Sequence, residues 1–175
     1  MTADTFTTAM FLITAVLAAG VLINAVFPVV YSMAGTFSSS THEADERLRT
    51  DFKIITTFAV YNSGTGGDPG VATVWLKNIG TSRPPFAEIE RSDVFCGAVG
   101  NFDRLTYNDV SPGNGNWYAD FTAGQYDLNS NGYWDTGETL KIVAATSTIP
   151  STGNLVYFQF ILPNGVWRST EFTVS

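Results

Sequence analysis

From Thr5 to Thr41 the sequence has no charged residue. A solvated helix or loop of that length needs charge, so the stretch is not an ordinary surface segment. Histidine occurs once, at His42, and cysteine once, at Cys96. A single cysteine excludes an intramolecular disulfide, and one His with one Cys offers no recognisable triad and no Cys/His zinc ligand set. Basic residues are few, 9 Lys and Arg against 16 Asp and Glu, giving a formal charge of −7 and a pI near 4.4. A chain this acidic is a poor ligand for nucleic acid or anionic headgroups. No Asn-x-Ser/Thr sequon occurs. No Lys or Arg precedes Arg47 and no lipobox cysteine is present, which argues against a cleaved secretory signal.

What fills the uncharged stretch is apolar. Phe6–Phe27 is almost wholly apolar or small, and about 20 such residues in a helix cross a bilayer core of ~30 Å. Residues 1–37 are therefore read as a hydrophobic helix, a membrane anchor or a filament core. Ala15, Ala18, Ala19 and Gly20 allow close helix–helix approach or plain lipid contact. Pro28 is expected to kink the helix or mark its exit. The positive-inside rule, applied to Arg47, Arg49 and Lys53, favours a cytoplasmic location for the C-terminal part of the chain.

Residues 38–50 read as a charged helix end or linker, with Ser40 or Thr41 able to cap a new turn. Glu43–Arg47 and Asp45–Arg49 have the i,i+4 order that supports a helix. From Asp51 the period shifts to two. Phe52–Tyr61, Val71–Ile79, Glu88–Ala98, Asp103–Tyr107, Trp117–Phe121, Thr139–Ala145, Asn154–Leu162 and Val166–Val174 are predicted strands, with a turn-rich loop over Asn62–Gly70. Pro163-Asn164-Gly165 predicts a hairpin between the last two. Val156, Phe158, Phe160 and Leu162 form one predicted inward row. The fold class is mainly β: an N-terminal hydrophobic helix, then an immunoglobulin-like β-sandwich over 51–175. The aromatic residues are expected mainly in the core, and a sugar platform of Trp75, Trp117, Trp134 and Trp167 would need them clustered.

No catalytic signature stands out; Asp93, Asp103 and Asp109 have no spacing that pairs them. One motif is specific. Asp127–Glu138 fits D-x-[DN]-x-[DN]-G-x₅-E. Asp127, Asn129, Asn131, Asp135 and Glu138 supply side-chain oxygens, Tyr133 a carbonyl, and Gly132 the sharp turn. Ca²⁺ takes about six to eight hard oxygens, so one structural calcium is expected there, bound weakly because amides replace carboxylates at two positions.

The Ser-rich exit of the helix and the run Ala44-Asp45-Glu46-Arg47-Leu48-Arg49-Thr50-Asp51-Phe52-Lys53-Ile54-Ile55 resemble archaellum proteins of the FlaG type. Val74-Trp75-Leu76-Lys77-Asn78-Ile79-Gly80 resembles that family's strand end, and Ile89-Glu90-Arg91-Ser92-Asp93-Val94-Phe95 the segment after it. The likeness covers the helix and the first half of the domain, and the related FlaF proteins share the plan. It implies a non-enzymatic stator of the archaeal flagellum. The helix would sit in the cell membrane, and the β-domain outside the cytoplasm would contact a stator partner and the surface layer or self-associate. An archaellin- or pilin-like filament subunit is the alternative, and a surface-layer or carbohydrate-binding module the second.

Overall fold

The computed structural model describes residues 2–62, 68–110 and 112–175. The order is α1 (Thr2–Arg49), β1 (Phe52–Val60), β2 (Gly70–Asn78), α2 (Phe86–Ile89), β3 (Asp93–Ala98), β4 (Asn101–Tyr107), β5 (Asn116–Asp120), β6 (Thr139–Thr146), β7 (Leu155–Ile161) and β8 (Trp167–Thr173). The chain forms two compact units, one as far as Ala44 and one from Asp45 to Ser175.

In the first unit, every described side chain of α1 is exposed. The helix is long and apolar enough to cross a membrane by length and composition. Several of its hydroxyls bond within the helix: Thr7, Thr8 and Thr14 donate to the carbonyls of Ala3, Asp4 and Met10 at 2.7, 2.7 and 2.8 Å. Such back-bonding lets Thr sit in an apolar medium without an orphan donor. Pro28 lies inside the helix and does not end it. Residues 38–49, read as a helix end or linker, are its last turns, and no new cap forms at Ser40 or Thr41. Thr41 instead donates back to the Phe37 carbonyl at 2.7 Å.

The second unit is a two-layered β-domain. β1, β2, β6 and β5 pair antiparallel in that order, and β4, β3, β7 and β8 do likewise. A short parallel contact, Thr106↔Asn116 and Tyr107↔Trp117, joins β4 to β5. Alternation decides which side chains turn inward. Ala72, Val74, Leu76 and Asn78 of β2 are buried, and so are Val156, Phe158, Phe160 and Leu162, the predicted inward row. Phe160 of one layer meets Phe52 and Trp117 of the other, at ring distances of 5.6 and 6.1 Å. Trp117 and Trp134 are core residues, whereas Trp167 is 51 % exposed, so the four tryptophans do not form a platform.

The predicted strand over Glu88–Ala98 starts only at Asp93. Pro84 and Pro85 precede it, and Pro85 stands at the N-cap of α2, whose Ile89 plugs into the core. A proline with fixed φ and no N–H favours such a helical start over strand pairing. The β7–β8 hairpin forms as predicted, with Gly165 at φ 84° and the Leu162 amide bonded to the Val166 carbonyl at 2.9 Å. Within the predicted loop Asn62–Gly70, residues 63–67 lie outside the described residues.

Candidate metal centre

The stretch Asp127–Glu138 lies between β5 and β6. Its two ends are buried: Asp127 is 4 % exposed and Glu138 5 %. Buried carboxylates must be satisfied, and these are. Asp127 accepts the amides of Asn131 and Gly132 at 3.2 and 2.9 Å. Glu138 accepts those of Leu128 and Asp135 at 2.8 and 2.9 Å. Asn129 and Asn131 each accept the amide two residues on, at 3.2 and 2.8 Å, which winds the loop. Gly132 takes φ 76° and Ser130 φ 56° in the turn between them.

Three of the predicted ligands meet. The amides of Asn129 and Asn131 donate to Asp135 Oδ2 at 2.7 and 2.9 Å. Arg83 donates to the same carboxylate through Nε and, at 3.1 Å, through Nη2. Donation by Arg83, then by Asn129, holds the Asp135 carboxyl down at about 2. The Arg83 guanidinium also lies 5.7 Å from the Tyr133 ring centre. Among the described residues no three Asp, Glu, His or Cys side chains gather as a metal cluster. The oxygen donors have the type and order a hard cation takes. Each carboxylate of the set also has N–H donors, and Arg83 supplies a cation at the loop's ninth position.

The loop is tied to the strand end carrying the Lys77-Asn78-Ile79-Gly80 motif. Trp134, between two ligands, is buried and donates through Nε1 to the Glu138 carbonyl at 3.1 Å. The buried Asn78 side chain donates to the carbonyls of Trp134 and Ser82 at 2.8 and 2.9 Å and accepts the Gly80 amide at 3.0 Å. Beyond it, the amides of Thr81 and Ser82 cap the Arg49 carbonyl at 2.8 and 3.0 Å. Those of Ile79 and Gly80 reach Asp51 at 3.0 and 2.8 Å. One short segment thus holds the candidate loop on one side and the last turn of α1 on the other.

Sequence spacing did not single out Arg83. It stands 52 positions from Asp135, and no periodic rule links them. The available signal was Pro84-Pro85, which cannot extend a central strand. The extended run there lies along the loop instead, pairing Pro85 with Tyr133 and sending the Trp134 amide to the Pro84 carbonyl at 2.9 Å.

Residues 4–172 match the family model of the archaeal-type flagellins, nearly the whole chain and both of its units. The chain belongs to the archaeal-type flagellin family. It is therefore a structural protein of the archaeal flagellum type and not an enzyme. An uncharacterized protein of Archaeoglobus fulgidus is 26 % identical over 177 residues, covering 99 % of each chain. The flagellum of Methanospirillum hungatei strain JF1 aligns over 93 % of this chain and 91 % of its own, with a TM-score of 0.55 at 16 % identity, which shows a shared fold. The archaellum periplasmic stator protein FlaG of Sulfolobus acidocaldarius aligns over 70 % of this chain and 99 % of its own, at 21 % identity and a TM-score of 0.49.

Proposed function

We propose that this flagellin-family chain is a membrane-anchored stator component of the archaellum, linking the cell membrane to the surface layer. The observation that carries this is α1: an exposed helix of 48 residues whose apolar part is free of charge, followed by a β-domain that grips its last turn. A stator bears load rather than turning over substrate. That task needs an anchor, a rigid domain and a firm connection between helix end and sheet. The FlaG-like motifs support the reading in a specific way. Ile79 and Gly80 of the strand-end motif bond to Asp51 of the Ala44–Ile55 motif, the next two amides bond to its Arg49, and Asn78 holds the Gly80 amide from behind.

The β-domain would lie outside the cytoplasm, where it meets a stator partner and the surface layer or further copies of itself. Protease added to intact cells with a permeable surface layer should then cut it. Protection until the membrane is lysed would place it inside, in line with the positive-inside rule. The strand order supports an immunoglobulin-like description, with β1, β2, β6 and β5 as A-B-E-D and β4, β3, β7 and β8 as C′-C-F-G. The loop Asp127–Glu138 would hold one structural Ca²⁺ on the oxygens of Asp127, Asn129, Asn131, Asp135, Glu138 and the Tyr133 carbonyl.

A filament subunit is the second reading. The family match spans helix and domain alike, and the M. hungatei flagellum aligns over helix and domain together. Cell fractionation separates the two. A stator stays with membranes when filaments are sheared off, whereas a subunit is the main protein of the sheared material.

A further inference from the structure

The two outermost strands, β1 and β8, are largely exposed, and a cleft runs between them. It is clamped at both ends. Arg168 pairs with Asp51 at 2.5 Å at one end, and the Ser175 amide bonds to the Ala59 carbonyl at 2.9 Å at the other. Between the clamps, among the described residues, no backbone hydrogen bond joins β1 to β8. β1 bulges there, its register with β2 shifting between Ile54 and Thr56. A cavity of about 390 Å³ opens along Lys53–Thr57 and Arg168–Thr170. A second cavity of about 590 Å³ shares Arg168 and Ser169 with it and is lined by Arg47 and Trp167. Each edge therefore presents backbone donors and acceptors that no sheet neighbour uses, the condition for adding a strand.

Charge selects the strand. On a chain of net charge −7, Arg47, Lys53 and Arg168 gather along this cleft. Arg47 and Lys53 make no ion pair among the described residues, and Asp51 is already held by Arg168. Trp167, half-exposed at the entrance, offers an apolar face. We propose that the β1–β8 cleft receives an extended acidic segment of a partner protein, which adds to the free edge of β8 with its carboxylates on Arg47 and Lys53. This goes beyond the stator reading and does not depend on it, because a filament subunit would carry the same cleft. The open part of β1 is Lys53–Thr57, so a segment of about six residues, at ~3.4 Å each, fills it.

The test uses the full chain in nanodiscs of zwitterionic lipid and an alternating Glu-Val hexapeptide as probe. Amide exchange at residues 53–57 and 168–170 should slow at least tenfold and saturably. The Lys-Val peptide should fail for its charge, and a Glu-Val peptide N-methylated at every residue should fail for want of N–H donors. Arg47→Glu with Lys53→Glu, both on exposed side chains, should switch the preference to Lys-Val. No slowing at saturating Glu-Val, equal slowing by Lys-Val, or the same protection from phosphatidylglycerol nanodiscs without peptide would each overturn the proposal. The last of these would make the cleft a lipid contact.

Discussion

A Cβ placed on Gly80 would sit 2.4 Å from the carbonyl oxygen of Arg49 and equally close to the Asp51 amide nitrogen. Only glycine lets the strand end lie against the helix end this closely. Both obstacles are backbone atoms that cannot swing aside. Gly80→Ala should therefore cost about 1–3 kcal/mol, the range of overpacking. Gly113→Ala, whose Cβ meets the Asn116 side chain at an ordinary 3.6 Å, is the control, and should stay within about 0.5 kcal/mol. Urea denaturation of the two variants measures the difference, and equal midpoints would remove Gly80 from the joint.

The same joint fixes where the domain can be cut. A fragment 45–175 keeps the capped last turn, with the Asn164 side chain donating to Thr50 Oγ1 at 2.9 Å and the Thr50 hydroxyl to the Glu46 carbonyl at 2.8 Å. A fragment 51–175 loses both bonds and leaves the amides of Thr81 and Ser82 without their acceptor. The longer fragment should be soluble and folded, with the higher melting temperature. Identical melting of the two would show that the last turn of α1 adds nothing to the domain.

The acid limb of stability should report on Arg83. Because Asp135 titrates at about 2 in the folded chain, its contribution is complete above the ordinary carboxylate range of about 4. It is lost as pH falls from there through about 2. Arg83→Gln should flatten that slope while leaving neutral-pH folding intact. An unchanged pH profile in this variant would mean that Arg83 does not hold the carboxylate in solution.

Calcium makes a separate prediction. Binding to the folded state alone stabilises by about 2.7 kcal/mol at 100 times Kd, so millimolar Ca²⁺ should raise the melting temperature and Mg²⁺ much less. Glu138 already accepts two backbone amides. Glu138→Gln should thus lower stability in chelator too, by about 1–3 kcal/mol for the unmet donor. The informative quantity is the difference between Ca²⁺ and chelator within each variant. It should be large for the natural chain and near zero for Glu138→Gln. Identical curves in Ca²⁺ and chelator for the natural chain would leave the loop a turn tied by Arg83.

Much of this fold was legible because its strands alternate. Val156, Phe158, Phe160 and Leu162 could face only one way once Pro163-Asn164-Gly165 set the hairpin. The failures have local causes. Glu88–Ile89 carried strand-like side chains, but the prolines before them turned the chain into α2. Residues 38–50 were legible only as a helix end or a linker, because their Ser-Thr run competes with helix in isolation; the helix-end reading holds as far as Arg49, with Thr41 bonding back along the helix and the β-domain capping its end. In the loop, spacing brought Asn129, Asn131 and Asp135 together, yet it could not reveal Arg83, which arrives from another part of the chain.

The central claim is that α1 anchors this chain in a membrane and is not the core of a filament. Cryo-electron microscopy of the full chain after reconstitution into liposomes tests it most directly. α1 should lie in the bilayer, with the β-domain projecting as single copies or lateral clusters. A helical filament with the α1 helices of many copies packed together at its axis would contradict the stator account and make the chain a filament subunit.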